Sequence, residues 1–142
     1  MSADGKTDDE IRAILRSVKT IALLGASPNP DRPSNRVMKF LLSRGYDVIP
    51  VNPGQAGKTL HGQLVYGRLS DIPCPIDMVD VFRAADALPE IVAEAAALSP
   101  RPRVLWGQLE VVHDGAAAEA RTSGIDVVMD RCPAIEIPRL GL

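Results

Sequence analysis

Residues 25 to 36 read Gly-Ala-Ser-Pro-Asn-Pro-Asp-Arg-Pro-Ser-Asn-Arg. Gly25 offers a tight turn, Ser27 and Ser34 offer hydroxyls, and Arg32 and Arg36 add two full positive charges. If Ser34 caps a helix, the unpaired N–H groups of that helix start and the positive end of its dipole point at the same place, which is how a chain holds phosphate. The same residues also serve as a turn glycine and a helix cap with no ligand, so the segment alone leaves both uses open. Downstream, Asn52-Pro53-Gly54 carries no acid and is followed by Lys58. A nicotinamide dinucleotide site wants G-x-G-x-x-G and an Asp or Glu for the ribose 2′-hydroxyl. Here Ser27 and Pro30 stand at the second and third glycine positions, and Asn52 stands where the acid belongs. Lys58 suits a phosphate on the ribose better than a free hydroxyl, although a solvated loop lysine needs no ligand at all.

Other chemistry is poorly supported. His61 is read as a loop residue and His113 as part of a helix-capping region, with no G-x-S-x-G elbow or paired cysteine motif beside either. Asp77 and Asp80 lie in one apolar strand without the arrangement of a catalytic carboxylate pair, and Asp80 is expected to pair with a neighbouring arginine. Cys74 and Cys132 lack C-x-x-C spacing, so neither a zinc site nor a local redox pair is encoded.

These residues need elements that bring them to one place. Thr7 and Glu10 form a capping box before Ile11, Ile14, Leu15 and Val18, which predicts a first helix over about 8–18. Thr20 to Leu24 is a continuous apolar run of strand length, as a strand buried on both faces requires. A helix carrying Val37, Met38, Leu41 and Leu42 follows Ser34 and ends at Gly45. Asp47 to Val51 is a second strand whose Pro50 argues for a place near an edge or for a local irregularity. Asp77 to Phe82, Arg103 to Trp106 and Ile125 to Met129 are further strands, with helices near 87–98 and 114–123 between them. Short structure is expected at 64–66 and a turn at 69–73, and the tail from Arg131 reads as irregular. Strands alternating with helices give an α/β fold with a doubly wound parallel sheet, whose ligand belongs beyond the carboxyl ends of the strands at the topological switch point.

The 142 residues suit one domain over 1–142, and 46% hydrophobic residues supply a core without disulfides or metals. Sixteen basic and eighteen acidic residues leave a net charge of −2, so no global positive field favours nucleic acid or an anionic membrane. The N-terminus shows no secretory pattern and no apolar run spans a bilayer, which predicts a cytoplasmic protein.

Gly25-Ala26-Ser27, Arg32-Pro33-Ser34, Gly45 to Pro53, Asp80-Val81-Phe82-Arg83, Trp106-Gly107-Gln108 and Val127 to Cys132 together resemble small stand-alone coenzyme A-binding domain proteins. That family's Rossmann-like fold is similar to the nucleotide-binding domain of the succinyl-CoA synthetase α-subunit. The resemblance implies that Gly25, Ala26 and Ser27 with Arg32 and Ser34 hold the pyrophosphate. It implies that Val51, Asn52 and Pro53 line the adenosine pocket with Lys58 at its phosphate, and that Phe82 and Arg83 flank the adenine or the start of the pantetheine arm. It further implies binding of coenzyme A or an acyl-CoA without catalysis, the protein partner being unspecified. Glu110 stands where the family usually has glycine, so a carboxylate could crowd or repel an anionic ligand. Cys132 reads either as a buried thiol or as one within reach of the pantetheine thiol. A nicotinamide-dependent enzyme and a protein-interaction domain that has lost its ligand are the alternatives.

Overall fold

The computed structural model describes residues 3–142. A five-stranded sheet is built from β1 (Thr20–Leu24), β2 (Asp47–Val51), β5 (Met78–Val81), β6 (Val104–Gly107) and β7 (Asp126–Val128), in the order β2-β1-β5-β6-β7. All its strand pairs are parallel. A small antiparallel hairpin, β3 (Thr59–Leu60) and β4 (Gln63–Leu64), stands beside it. The strands read as apolar runs because both faces are covered. Helices α3 (Leu88–Ala96) and α4 (Asp114–Thr122) cover one face. On the other lie α1 (Asp8–Ser17), α2 (Pro33–Ser43) and α5 (Pro133–Arg139). Side chains alternate across the pleat, so Ile21, Leu23, Met78 and Trp106 pack under α1, α2 and α5 while Ala22, Leu24, Val79 and Leu105 pack under α3 and α4.

Strand β2 is an edge strand, as Pro50 requires. Beyond it the chain adds one more parallel contact, where the Asn52 amide donates to the Tyr66 carbonyl at 2.9 Å and the Tyr66 amide to that of Pro50 at 3.0 Å. The capping box of α1 is formed, and His113 caps α4 by accepting from the Ala116 amide at 3.0 Å.

Three expectations are corrected. The tail from Arg131 is not irregular: α5 forms because Pro133 occupies the first helical position, where a missing N–H costs nothing. Ser34 is not the cap of α2. Arg32 occupies that position without a side-chain bond and Pro33 begins the helix. Asp80 has no arginine partner. It is completely buried on the face under α1, α2 and α5, between Leu23 and Trp106 on the neighbouring strands, and neither carboxylate oxygen has a hydrogen-bond partner among the described residues. Burial pushes its carboxyl well above the usual range.

Arg131 is committed elsewhere. Its guanidinium donates to Asp4 at 2.9 Å and to Glu136 at 3.0 Å, clasping the N-terminal segment to α5. Burial alone would raise the Asp4 carboxyl. Hydrogen bonds from Arg131 and from the Lys6 and Met129 amides outweigh it and hold the group down at about 2.

Candidate functional site

The sheet order reverses between β1 and β5, the switch point at which doubly wound folds bind ligands. The two strand ends lie very close there. The Phe82 amide donates to the Leu24 carbonyl at 2.8 Å, and a Cβ on Gly25 would stand 2.8 Å from the Phe82 carbonyl oxygen and 3.3 Å from Cδ of Arg83. Gly25 also has φ +87°, so both the approach and the backbone conformation demand glycine. Its amide and that of Ala26 both donate to the Val51 carbonyl, at 3.0 and 3.2 Å. Those two N–H groups are therefore spent on the sheet and not offered to an anion. The Ser27 and Ser34 amides have no hydrogen-bond acceptor among the described residues.

The loop after β1 is braced from three sides. The Asn52 side chain donates to the Ala26 carbonyl at 2.7 Å and accepts from the Gly54 amide at 2.9 Å. An Asp there would set a carboxylate against the Ala26 carbonyl, which accounts for an amide in place of the acid of dinucleotide sites. Asn35, buried on α2, donates to the Ser27 carbonyl at 2.9 Å, and its Oδ1 lies 3.0 Å from Nε2 of His61. Arg36 donates to the Asp31 carbonyl at 2.9 Å, so its charge serves the loop, whereas the exposed Arg32 side chain makes no hydrogen bond among the described residues.

An open cleft of about 580 Å³ lies at this crevice, within the usual size of small-molecule sites. Gly25, Val51, Asn52, Pro53 and Arg83 line it, as do Arg68, Ser70, Glu90, Ile91 and Glu94. Neither the Arg68 nor the Arg83 guanidinium has an ion-pair or hydrogen-bond partner among the described residues, while Glu94 accepts from the Leu69 amide at 2.9 Å. Arg68, Ser70, Glu90 and Glu94 escaped the sequence reading because they lie on α3 and on the segment after Tyr66, not directly beyond a main strand. The four-residue spacing of Glu90 and Glu94 on a helix whose other side carries Leu88, Val92 and Ala95 was the signal available.

The remaining expected residues lie elsewhere. Ala26 and Lys58 border a separate hollow of about 10 Å³, with Pro28 and Leu60. Ser27, Arg32, Ser34 and Phe82 border neither space. The ring of Phe82 joins the layer under α1, α2 and α5, because it alternates with Val81, whose side chain faces α3. Cys132 is 7% exposed in that same layer, away from the cleft, and the neighbouring Arg131 is held by two carboxylates. Cys74 is exposed.

Glu110 does not border the cleft either. It turns the chain after β6 with φ +69°, its amide donating to Asp130 Oδ1 at 2.7 Å. A left-handed conformation costs a residue with a Cβ about 1–2 kcal/mol, part of which glycine returns through its freer unfolded chain. Glu110→Gly is therefore expected to raise unfolding stability by about 0.5–1 kcal/mol in a urea titration. An unchanged midpoint would mean that the turn carries no strain.

A parallel sheet with a ligand-sized cleft at its switch point defines a Rossmann-like binding domain. The family model described as the CoA binding domain matches residues 19–138, and the chain belongs to that family. It is 38% identical over 123 residues to the uncharacterized protein YneT of Bacillus subtilis (strain 168), covering 87% of this chain and 88% of YneT. Among solved structures, a hypothetical protein from Pyrococcus horikoshii OT3 is 39% identical with TM-score 0.92, covering 100% of this chain and 97% of that one. The cell-free protein ID.343 from Thermus thermophilus is 40% identical with TM-score 0.89, covering 95% and 99%. Among the described residues, no helix is long and apolar enough to cross a membrane.

Proposed function

We propose that this protein binds coenzyme A or an acyl-CoA in the switch-point cleft and performs no bond-making step of its own. The observation that carries the reading is the crevice between Gly25 and Arg83, opening onto Val51, Asn52 and Pro53, in a chain of the CoA-binding domain family. Arg83 lies against Gly25 at the end of the phosphate-type loop, where a guanidinium without a protein partner meets a pyrophosphate by charge-assisted hydrogen bonds. Ser27 and Ser34, whose amides have no acceptor among the described residues, and the exposed Arg32 lie on the loop that starts at Gly25, outside the cleft's lining. The absence of catalysis rests on the lining itself. It contains no histidine or cysteine, and its polar side chains are amide, hydroxyl, guanidinium and carboxylate groups with no nucleophile–base contact among them. The nicotinamide alternative is weakened by Asn52, whose side chain is already committed at both ends to the loops.

Thermal unfolding in the presence of CoA, NAD and NADP separates these readings. At a hundred times its dissociation constant a ligand stabilises the fold by about 2.7 kcal/mol. CoA is expected to give that shift and the nicotinamide nucleotides none. A shift with NADP alone, or with none of the three, would overturn the proposal.

A further inference from the structure

The cleft holds two arginines whose guanidinium groups have no partner among the described residues, and they come from different segments of the chain. Arg83 is beside Gly25, with Cδ 3.3 Å from where a Cβ of residue 25 would lie. Arg68 comes from the segment after Tyr66. The chain reaches it from the extra parallel contact on the edge strand, where Tyr66 pairs with Val51, and passes Gly67, where an added Cβ would stand 3.5 Å from Ala56, 3.7 Å from Oδ2 of Asp71 and 4.0 Å from Pro53. Arg68 follows directly and lines the cleft together with Val51, Asn52 and Pro53. Lys58, the cation that the sequence suggested for this task, is instead in the backbone ladder with Val65 and borders the hollow around Ala26 and Pro28.

Coenzyme A carries two separate anionic groups, the pyrophosphate and the 3′-phosphate on the ribose. If Arg83 is at the pyrophosphate, the second cation of the same cleft is left for the second anion. We infer that Arg68 is the residue that recognises the ribose phosphate and makes the site prefer CoA over dephospho-CoA. This rests on the binding of CoA proposed above. The carboxylates of Glu90 and Glu94 line the cleft as well. They oppose a phosphate, Glu94 from beside Arg68 because it accepts from the Leu69 amide, and a planar guanidinium fork grips a phosphate in two places where an ammonium gives one point charge.

Calorimetric titration of parent, Arg68→Ala, Arg68→Lys and Lys58→Ala with CoA and with dephospho-CoA tests the inference. Because Arg68 is exposed, circular dichroism and the melting temperature should show an intact fold in both of its variants. The parent is expected to favour CoA by about tenfold or more, as one charge-assisted contact allows. Arg68→Ala should lose that preference while its affinity for dephospho-CoA stays within about twofold of the parent. Arg68→Lys should keep part of the preference. If Arg68→Ala retains the preference, or if Lys58→Ala is the variant that loses it, the inference is overturned while CoA binding stands. A parent that binds both ligands equally overturns it in the same way. A parent that binds neither overturns the functional reading too.

Discussion

Asp80→Asn is expected to be more stable than the parent at pH 7 to 8, by a margin that shrinks as the pH falls toward 4. The Asp80 carboxyl is fully buried in the central strand, and neither oxygen meets a donor. Ionising it there would place an unpaired charge in an apolar layer, so the folded protein holds the proton. In the unfolded chain the group titrates near the ordinary aspartate value of 3.8. A folded pKa above the unfolded one gives a contribution that is complete below that unfolded value and is lost as pH rises toward the folded one. The slope is about 1.4 kcal/mol per pH unit. Asparagine has nearly the same shape and no proton to bind, so its profile lacks this slope. Asp4, held at about 2, acts in the opposite sense in acid, but it is present in both proteins and cancels in the difference. Urea unfolding of both proteins at pH 4 to 8 should show profiles that diverge with pH. Parallel profiles would mean that Asp80 is ionised in the fold.

Gly25→Ala should destabilise the protein by about 3 kcal/mol or more. A left-handed φ costs an alanine about 1–2 kcal/mol, and the added Cβ would lie 2.8 Å from a backbone oxygen. A flexible side chain could swing away from such a contact. Phe82 follows the central strand β5, and its amide is bonded to the Leu24 carbonyl, so relief requires parting two strands in the middle of the sheet. The same displacement moves Arg83, and CoA affinity should fall with stability. A midpoint within about 0.5 kcal/mol of the parent would show that the loop yields freely.

The main strands were legible because a strand covered on both faces reads as an unbroken apolar run, and of the two readings that Pro50 left open, an edge or a local irregularity, the edge is the one found. Helix α5 was not legible, since Pro133 and Pro138 read as breakers unless the first is known to start the helix. For Asp80, periodicity says which face a side chain takes but not which long side chains reach it. Arg131 is held by Asp4, a partner 127 positions away. Within the candidate site, the turn at Gly25 and the Val51-Pro53 wall followed from their places at strand ends. The rest of the lining did not, because Arg68 on the segment after Tyr66 and Glu90 and Glu94 on α3 come to one cleft only once the order β2-β1-β5 sets those elements beside the switch point. Ser34, named for its place at a helix start, and Phe82, named through the family resemblance, do not border the cleft, because neither signal says which way a side chain faces.

Amide chemical-shift mapping of the isotope-labelled protein during a CoA titration tests the placement of the ligand most directly. The cleft predicts saturable shifts at Gly25, Asn52, Arg68, Arg83, Glu90 and Ile91, with Cys132 and the interior of α5 unmoved. Saturable shifts confined to α1, α2 and α5, leaving Asn52, Arg83 and Glu90 in place, would contradict it.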